Sequence, residues 1–432
     1  MKNLLLLLII PVFFHACNPQ EKSKESPISH YDIRLQVNPA KRYIKVEGTF
    51  TPGTSTHLQD SIGFYLDKNL TVHSFTFDNS LQAIIDTAKS DNRFLPNAHK
   101  IYFQLSDEQK NKLSTVHFSY EGTLSKLPKL AGNRIGEEWT ELGLYYPWFP
   151  FNFEQYGTFT YSVEVETSDD YAVFGIGNIA EQKVSTVLSS SLPTNDIVVC
   201  MAKDIDIFKR PVGNHQLKIF HSGLSDSLLI RMSKDVTNAL SQFNQWFGNV
   251  DTDVSIIETQ RISGGGYARN GGLVLSGIDP EKYGKRIVYY NRFFAHEMAH
   301  LWWNKALATS WHDWLNESFA EYSSLMFLRE QFGEEIFDKY ISHKSQAIEG
   351  TPPIWDFDRN GAEYEVAYQV LYNKGPVLLK ELEDRIGSKT FYRLCHKIAD
   401  ADVSETKHFL TILAEVSNVQ ASEWFKKILQ TR

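Results

Sequence analysis

The stretch around His296 constrains the fold of this chain more than any other part of its sequence. Phe293 to Trp303 has the composition of a helix and contains the pattern His-Glu-x-x-His. At 3.6 residues per turn, His296 and His300 lie one above the other on one helix face, where both imidazoles can bind one metal ion. Glu297 is then within reach of a water on that metal and is the candidate general base. The alternative is a buried helix whose histidines bond only to protein groups.

The composition is that of a globular protein without a nucleic-acid ligand. Of the 432 residues, 42% are hydrophobic and 13% aromatic, which is enough for two or three domains with their own cores. The net charge is −8, with acids and bases interspersed and no long basic block. We therefore expect no nucleic-acid partner. Nothing in the composition determines the oligomeric state.

The amino terminus is typical of an exported protein. Lys2 precedes an apolar run, Leu4 to Phe14, that is too short to span a membrane. The run ends just before Cys17 and resembles a bacterial lipoprotein signal. This resemblance implies that 1–17 is a signal peptide, that Cys17 is the lipidated first residue of the mature chain, and that the protein is anchored to a membrane of the bacterial cell envelope. An ordinary secretory signal cleaved nearby is the alternative. Polar residues 18–28 are expected to form a flexible tether.

Residues 29–212 and 213–432 carry different patterns and are predicted to be two domains. The first range has short segments of alternating polar and apolar residues separated by turns, which predicts an antiparallel β-sandwich or saddle-shaped sheet. The second has a long amphipathic helix at 226–247, a strand at 254–259, and then a nearly continuous helical pattern from Lys285. The predicted class is therefore α+β.

Two further features of the sequence leave alternatives open. The aromatic and proline-rich segment from Glu141 to Phe151 is suited either to lining a cleft or to packing a domain seam. Beyond Cys17, the chain has only Cys200 and Cys395. Export permits a disulfide between them, but two cysteines do not make a framework, and each is expected to be a small buried hydrophobe.

A segment downstream of the histidines supplies a third metal ligand by resemblance. Leu315-Asn316-Glu317-Ser318-Phe319-Ala320 resembles the Leu-Asn-Glu-Gly-Phe-Ala helix of the gluzincin metallopeptidases of the M1 (aminopeptidase N-like) family. The resemblance implies a thermolysin-like catalytic domain and one Zn²⁺ held by His296, His300 and Glu317. It also implies a short form of the family, without the large helical C-terminal domain. The sixteen residues between His300 and Glu317 are two fewer than is usual in the family.

The same resemblance assigns roles to residues near the metal. Tyr372-Asn373-Lys374-Gly375 matches the family's Tyr-x-Lys-Gly, whose tyrosine stabilises the oxyanion of the reaction, with Tyr364 and Tyr368 as alternatives to Tyr372. His312 is a lower-ranked rival ligand. Glu321, one turn after Glu317, either hydrogen-bonds a ligating histidine or is a solvated helix acid.

The glycine-rich segment before the metal helix departs from the family. The family's Gly-x-Met-Glu-Asn, whose glutamate binds the substrate's free amino terminus, corresponds here to Gly266-Tyr267-Ala268-Arg269-Asn270. Arg269 repels an ammonium group, and it suits a substrate carboxylate. We predict that the strand containing Gly265, Gly266, Tyr267 and Asn270 binds a peptide backbone. Glu141 is a weak candidate for a substitute amine-binding carboxylate.

These observations predict an exported zinc metallopeptidase that hydrolyses peptides through a zinc-activated water, with Glu297 as general base and Tyr372 as oxyanion donor. The resemblance implies aminopeptidase-like activity. Arg269 favours an endopeptidase, or a peptidase that does not read the free amine, as the alternative. Two further alternatives are a non-catalytic, zinc-containing binding lipoprotein at the cell surface and a structural lipoprotein in which the motif is fortuitous.

Overall fold

The computed structural model describes residues 28–431 except 55–60, 89, 91–94, 111–113, 126–133, 153–156, 169, 251, 261–265, 277 and 360. The predicted signal peptide, Cys17, and all but the last residue of the predicted tether lie outside this range, so they remain predictions. Across the described residues, no helix combines the length and the apolar character needed to cross a membrane.

The first half of the chain is built from three sheets. An eight-stranded sheet has the order β12-β13-β10-β1-β2-β8-β4-β5, and two three-stranded sheets have the orders β3-β7-β6 and β11-β14-β9. Their bounds are β1 (Ser29–Asn38), β2 (Tyr43–Thr51), β3 (Ser61–Asp67), β4 (Leu70–Phe77), β5 (Leu81–Gln82), β6 (Ile84–Asp86), β7 (Ala98–Gln104), β8 (Val116–Gly122), β9 (Thr140–Leu142), β10 (Phe159–Glu166), β11 (Ala172–Gly175), β12 (Asn178–Glu181), β13 (Thr186–Thr194) and β14 (Val199–Ala202). A short helix, α1 (Asp107–Lys110), precedes β8.

Side-chain alternation explains why these segments are strands. In β1, buried residues such as Ile33 and Leu35 alternate with exposed ones, because successive side chains of a strand point to opposite faces. The buried face joins a core rich in aromatic rings, including Phe50 and Phe64. The strand pairs are antiparallel except for β1 with β10, which run parallel.

A five-stranded sheet begins the second half. Its order is β15-β16-β17-β19-β18, which leaves β18 at one edge. The bounds are β15 (Asp206–Val212), β16 (His215–His221), β17 (Val254–Glu258), β18 (Gly266–Arg269) and β19 (Gly272–Leu275). The predicted domain boundary at 212/213 falls in the turn between β15 and β16, which pair in register. This sheet therefore starts before the predicted boundary.

Helices form the rest of the second half. They are α2 (Asp226–Phe247), α3 (Pro280–Tyr283), α4 (Ile287–Ala299), α5 (Trp314–Phe332), α6 (Glu334–Gln346), α7 (Tyr364–Tyr368), α8 (Gly375–Ile386), α9 (Ser388–Asp400), α10 (Thr406–Val416) and α11 (Val419–Thr431), with 3₁₀ turns at Gly284–Arg286 and Trp311–Asp313 and a π-helix at Gln369–Lys374. The α+β class, with a strand-rich first half and a helical second half, is confirmed.

The two halves meet across a buried apolar seam. Trp139 and Phe174 from the first half pack with Phe220, Ile257 and Tyr267 from the second. In the aromatic segment from Glu141 to Phe151, Tyr145 is 43% exposed and lines a cleft, as one alternative expected, whereas Trp148 and Phe149 are buried in the core of the first half rather than in the seam. Cys200 and Cys395 are both buried, and no disulfide bond joins them.

Candidate active site and metal centre

Helix α4 carries the first metal-ligating candidates. Its buried face, with Tyr290, Phe294 and Met298, packs against α2 and α5 and thereby fixes the rotation of the helix. The helix ends at Ala299, and His300 is its C-cap, with φ −63° and ψ −10°. The predicted helix through Trp303 is therefore too long. The C-cap still has near-helical dihedrals, so the two imidazoles remain neighbours, with ring centroids 5.0 Å apart.

Helix α5 brings Glu317 to the same point despite the short connection. The Asn316 amide closes this connection, because it accepts from the Ala306 N–H at 3.1 Å and donates to the Ala306 carbonyl at 2.9 Å. Trp314, fully buried, donates its indole N–H to Thr406 at 2.8 Å and fixes the start of the helix. The loss of two residues relative to the family's spacing therefore leaves Glu317 facing the histidines.

The three side chains converge with the spacing of a metal site. Glu317 Oε2 lies 3.5 Å from His296 Nε2 and 3.5 Å from His300 Nε2. Ligands bound tetrahedrally at about 2.0–2.1 Å lie about 3.3–3.4 Å apart, so this separation fits zinc better than a hydrogen bond. Glu317 Oε2 is also buried without a hydrogen-bond partner. A buried carboxylate oxygen is costly to leave unpaired, and a cation is the natural partner. The residues present therefore fit Zn²⁺.

Hydrogen bonds at the far side of each ring fix the ligating nitrogen. His296 Nδ1 lies 3.0 Å from Glu321 Oε2, and His300 Nδ1 lies 2.9 Å from the Trp303 carbonyl oxygen. Both partners are acceptors, so Nδ1 of each ring carries the proton that it donates, which leaves Nε2 as the nitrogen available to a metal ion. Glu321 is 1% exposed, which settles its two alternatives in favour of support for the histidine.

Tyr372 lies beside the metal site in the π-helix. Its ring stacks on His296 with centroids 5.6 Å apart and 22° between the planes, and it lines the same cleft as Glu317. Burial and the negative charge of Glu317 raise the pKa of the Tyr372 hydroxyl well above its usual value, so the group stays a donor. Of the alternatives, Tyr364 is 76% exposed, and Tyr368 stacks behind Tyr372. His312 hydrogen-bonds Thr406 and lies outside the cluster of potential ligands that the described residues form.

Without a bound metal ion, the carboxylates beside His296 favour its protonated form. Burial by itself would lower the pKa of His296, but the neighbouring carboxylates of Glu317 and Glu321 raise it to about 10. Burial would likewise raise the pKa of Glu317, but the two histidines hold it well below its usual range. At neutral pH the His296 imidazole is therefore protonated between two carboxylates.

Zinc binding is accordingly expected to release at least one proton per metal ion near neutral pH. The ligating imidazole must be neutral, so the apparent affinity for zinc should rise with pH up to about 10, the pKa of His296 in the metal-free chain. Calorimetric titration in buffers of different ionisation enthalpy measures the number of protons released. A zinc affinity that stays constant across this pH range, without proton release, would contradict the assignment of His296 as a ligand.

A cleft of about 360 Å³ opens in front of the metal site. Glu297, half-buried, lines it together with the three ligand candidates and Tyr372. Edge strand β18 forms the opposite wall with Gly266, Tyr267 and Arg269. Gly266 has φ +139°, and a Cβ there would lie 2.3 Å from the Val274 carbonyl oxygen, so this position requires glycine.

Arg269 is held rigidly at the cleft wall. Its Nε donates to Asp196 Oδ2 at 2.7 Å, and its Nη1 donates to the Ala268 carbonyl at 2.7 Å. The guanidinium lies 4.4 Å from the Tyr267 ring centroid and 5.5 Å from that of Tyr145. The Asp196 side chain has no exposed surface. Arg269 is thus part of a buried ion pair that joins the two halves of the chain.

Two predicted substrate residues differ from expectation, and a third is not described. Glu141 is wholly buried and does not line the cleft, since its carboxylate accepts from Trp139, Thr259 and Tyr267. It supports the seam and the Tyr267 hydroxyl, which corrects the expectation of a substitute amine site. Asn270 lines the cleft, but its amide donates to the Pro193 carbonyl at 2.7 Å. Gly265 lies outside the described residues.

Sequence reasoning missed residues that complete the site from distant segments. Asp196 comes from the first half of the chain, and Lys344 comes from α6 and pairs with Glu321 at 2.6 Å. Arg292 donates to both oxygens of Glu321, at 2.6 and 2.7 Å. Only Arg292, one turn before His296, carried a signal, because a cation four residues from a ligand shares its helix face.

Together the fold and the site define a two-domain zinc metallopeptidase. Residues 279–428 match the family model described as the Peptidase family M1 domain. This part of the chain is therefore similar to the M1 peptidase domain, and its residues fit a zinc metallopeptidase. No curated protein sequence matches the chain at the significance required.

Solved structures share the fold over both halves. An M1 zinc metallopeptidase from Deinococcus radiodurans superposes with a TM-score of 0.69 at 16% identity, covering 93% of this chain and 94% of that one. A mutant of that enzyme bound to a Tyr-Ser-Ala substrate gives a TM-score of 0.67 at 15% identity, with 94% of each chain covered. Native yeast LTA4 hydrolase gives 0.69 at 15% identity, covering 98% of this chain and 72% of that one.

Proposed function

We propose that this chain hydrolyses peptide bonds at the site formed by His296, His300 and Glu317, with Glu297 as general base. The observation that carries the proposal is the buried, unpartnered Glu317 Oε2 lying 3.5 Å from both histidine Nε2 atoms, with Glu297 beside them in the cleft. When bound there, zinc would polarise the scissile carbonyl and lower the pKa of a water toward about 7.

The chain's own residues then move the protons. Glu297 takes a proton from the attacking water and delivers it to the departing amine, a role that requires a carboxylate next to the metal rather than on it. Tyr372 keeps its proton at neutral pH and donates to the oxygen whose negative charge develops in the transition state. Because this hydrogen bond strengthens only as charge develops, it acts on kcat.

The edge of β18 is suited to hold the substrate backbone. β18 pairs with β19 on one side and has no strand on the other among the described residues. A peptide in extended conformation can add to such an edge through main-chain hydrogen bonds. Because Gly266 has no side chain, β18 can approach the Val274 carbonyl of β19 closely, and Gly266 itself lines the cleft.

A second candidate, a peptidase that does not require a free amino terminus, is favoured by Arg269. The guanidinium occupies the place where the family's amine-binding carboxylate is expected, and its pair with Asp196 is buried. Burying an ammonium group beside it would cost free energy through like-charge repulsion. Glu141, the other candidate carboxylate, is enclosed in the seam.

Matched peptides test both candidates in one assay. A peptide with a free amino terminus and the same peptide with an acetylated one are digested by the zinc-loaded chain, with and without a chelator. We expect chelator-sensitive cleavage of both, with kcat/KM for the acetylated peptide equal to or above that for the free one. Strong preference for the free amine would reject the second candidate, and failure to cleave either would reject the first.

The non-catalytic alternative makes a different prediction about Glu297. A binding module that keeps zinc for structure has no use for a carboxylate next to a ligand and open to the cleft, whereas a hydrolase needs one. Glu297 lines the cleft and is absent from the group of atoms that could coordinate the ion. This position supports the catalytic candidate.

A further inference from the structure

We infer that Lys344 is a positioning residue that couples the zinc ligand His296 to the oxyanion donor Tyr372. The expected effect of Lys344 on kcat rests on the proposed function. Its expected effect on zinc affinity rests on the metal site alone. Lys344 belongs to α6, is 5% exposed, and has no place in the motifs that define the site.

The Lys344 ammonium group makes contacts in two directions. It pairs with Glu321 Oε1 at 2.6 Å, and it donates to the Tyr372 carbonyl oxygen at 2.7 Å and to Asn373 Oδ1 at 3.3 Å. One buried cation therefore holds the carboxylate behind a metal ligand and the backbone of the residue that faces the reaction.

The contact between Lys344 and Glu321 supports the metal site. Glu321 Oε2 accepts from His296 Nδ1 at 3.0 Å, and the buried Glu321 carboxylate pairs with Lys344 at 2.6 Å and with Arg292 at 2.6 and 2.7 Å. The acceptor held in this way keeps His296 in the tautomer that presents Nε2 to zinc. Without Lys344, Arg292 alone would balance this buried charge.

The contact between Lys344 and the Tyr372 carbonyl supports the oxyanion donor. Tyr372 lies in a six-residue π-helix, a conformation that is rare and less regular than an α-helix, so its backbone depends on outside contacts. Lys344 fixes the carbonyl of Tyr372, while the Tyr372 ring stacks on His296. The same ammonium group therefore holds both the carboxylate that supports His296 and the backbone of Tyr372, and in this way it fixes the position of Tyr372 relative to His296.

Substitution of Lys344 by Met tests this coupling with two separate readouts. We expect the affinity for zinc, measured by competition with a chelator, to fall by about 10- to 100-fold, the loss typical of an outer partner of a ligand. We expect kcat for a cleaved peptide to fall at matched zinc occupancy while KM changes little, because Tyr372 acts in the transition state. Lys344→Arg, which keeps the charge, should lie between the wild type and Lys344→Met in both readouts.

Lys218→Met is the matched control, because Lys218 forms a part-buried ion pair with Asp253 at 2.9 Å and neither residue lines the cleft. It should lower stability without changing zinc affinity or kcat. Should Lys344→Met not fold by circular dichroism, Lys344→Gln, which loses the charge but keeps a donor for the carbonyl, carries the zinc-affinity part of the test. A folded Lys344 variant with wild-type zinc affinity and wild-type kcat overturns the inference. If the wild type cleaves no peptide, the proposed function fails while the zinc affinities still decide the role of Lys344.

Discussion

Replacing Glu297 with Gln is expected to lower kcat for peptide hydrolysis by on the order of 10²- to 10⁴-fold, the range that a general base contributes. Gln has the size of Glu but cannot accept a proton from water. Glu297 is not among the atoms that converge on the metal position, so the variant should keep its zinc. Metal content and kcat are measured on the same samples.

The control for this prediction is Glu330→Gln, the same chemical change at an exposed position of α5. It should leave both zinc content and kcat unchanged. If Glu297→Gln turned over peptides at a rate close to the wild type, another group would have to serve as base. If the variant instead lost zinc, Glu297 would be acting on the metal site rather than on water.

Replacing Glu317 with Gln is expected to have the largest effect on metal binding. The amide keeps an oxygen near His296 and His300 but removes the charge that zinc requires from its third ligand. The affinity for zinc should therefore fall by more than the about 10- to 100-fold typical of an outer partner. Peptide hydrolysis at limiting zinc should fall with it. Competition against a chelator of known affinity measures the loss.

Glu365→Gln, at an exposed position of α7, is the matched control for Glu317→Gln. It should bind zinc as the wild type does. A Glu317→Gln protein with wild-type affinity would mean that the ion sits elsewhere. Two observations would then need another explanation, namely the unpartnered Oε2 of Glu317 and its equal distances to the two histidines.

The strands and helices were predictable where local pattern and burial coincide. The alternating segment at Tyr31–Val37 became β1, and the amphipathic range 226–247 became α2 with those limits. One buried face in each case produces a period of two or of 3.6 residues. The parallel pairing of β1 with β10 was not predictable, because it joins segments that lie about 130 positions apart and share no local signal.

In the candidate site, too, some residues could be predicted from the sequence and others could not. Residues within one turn of His296, such as Glu297 and His300, were accessible from spacing alone, and Glu317 and Tyr372 were accessible from resemblance. Asp196 and Lys344 were not, because each reaches the site from a distant part of the chain. Glu141 was instead predicted as a site residue and does not line the cleft. Its segment was correctly expected near the second half, but its carboxylate is enclosed by Trp139, Thr259 and Tyr267.

The environment of Arg269 changes how the specificity of the chain is understood. The sequence alone left open whether this guanidinium binds a substrate carboxylate. In the structure its Nε is paired with buried Asp196, and its ring contacts hold it against Tyr267. Removing one member of such a buried pair typically costs about 3–5 kcal/mol. Arg269 is therefore a structural part of the cleft wall.

The most direct test of peptide hydrolysis at this zinc site is digestion of a mixed peptide library by the wild type and by Glu297→Gln, each carrying one zinc per chain, with cleavage sites read by mass spectrometry. We predict new termini with the wild type, none above background with the variant, and loss of all cleavage on chelation. Zinc-loaded wild type that leaves the library intact, or equal cleavage by the variant, would contradict it.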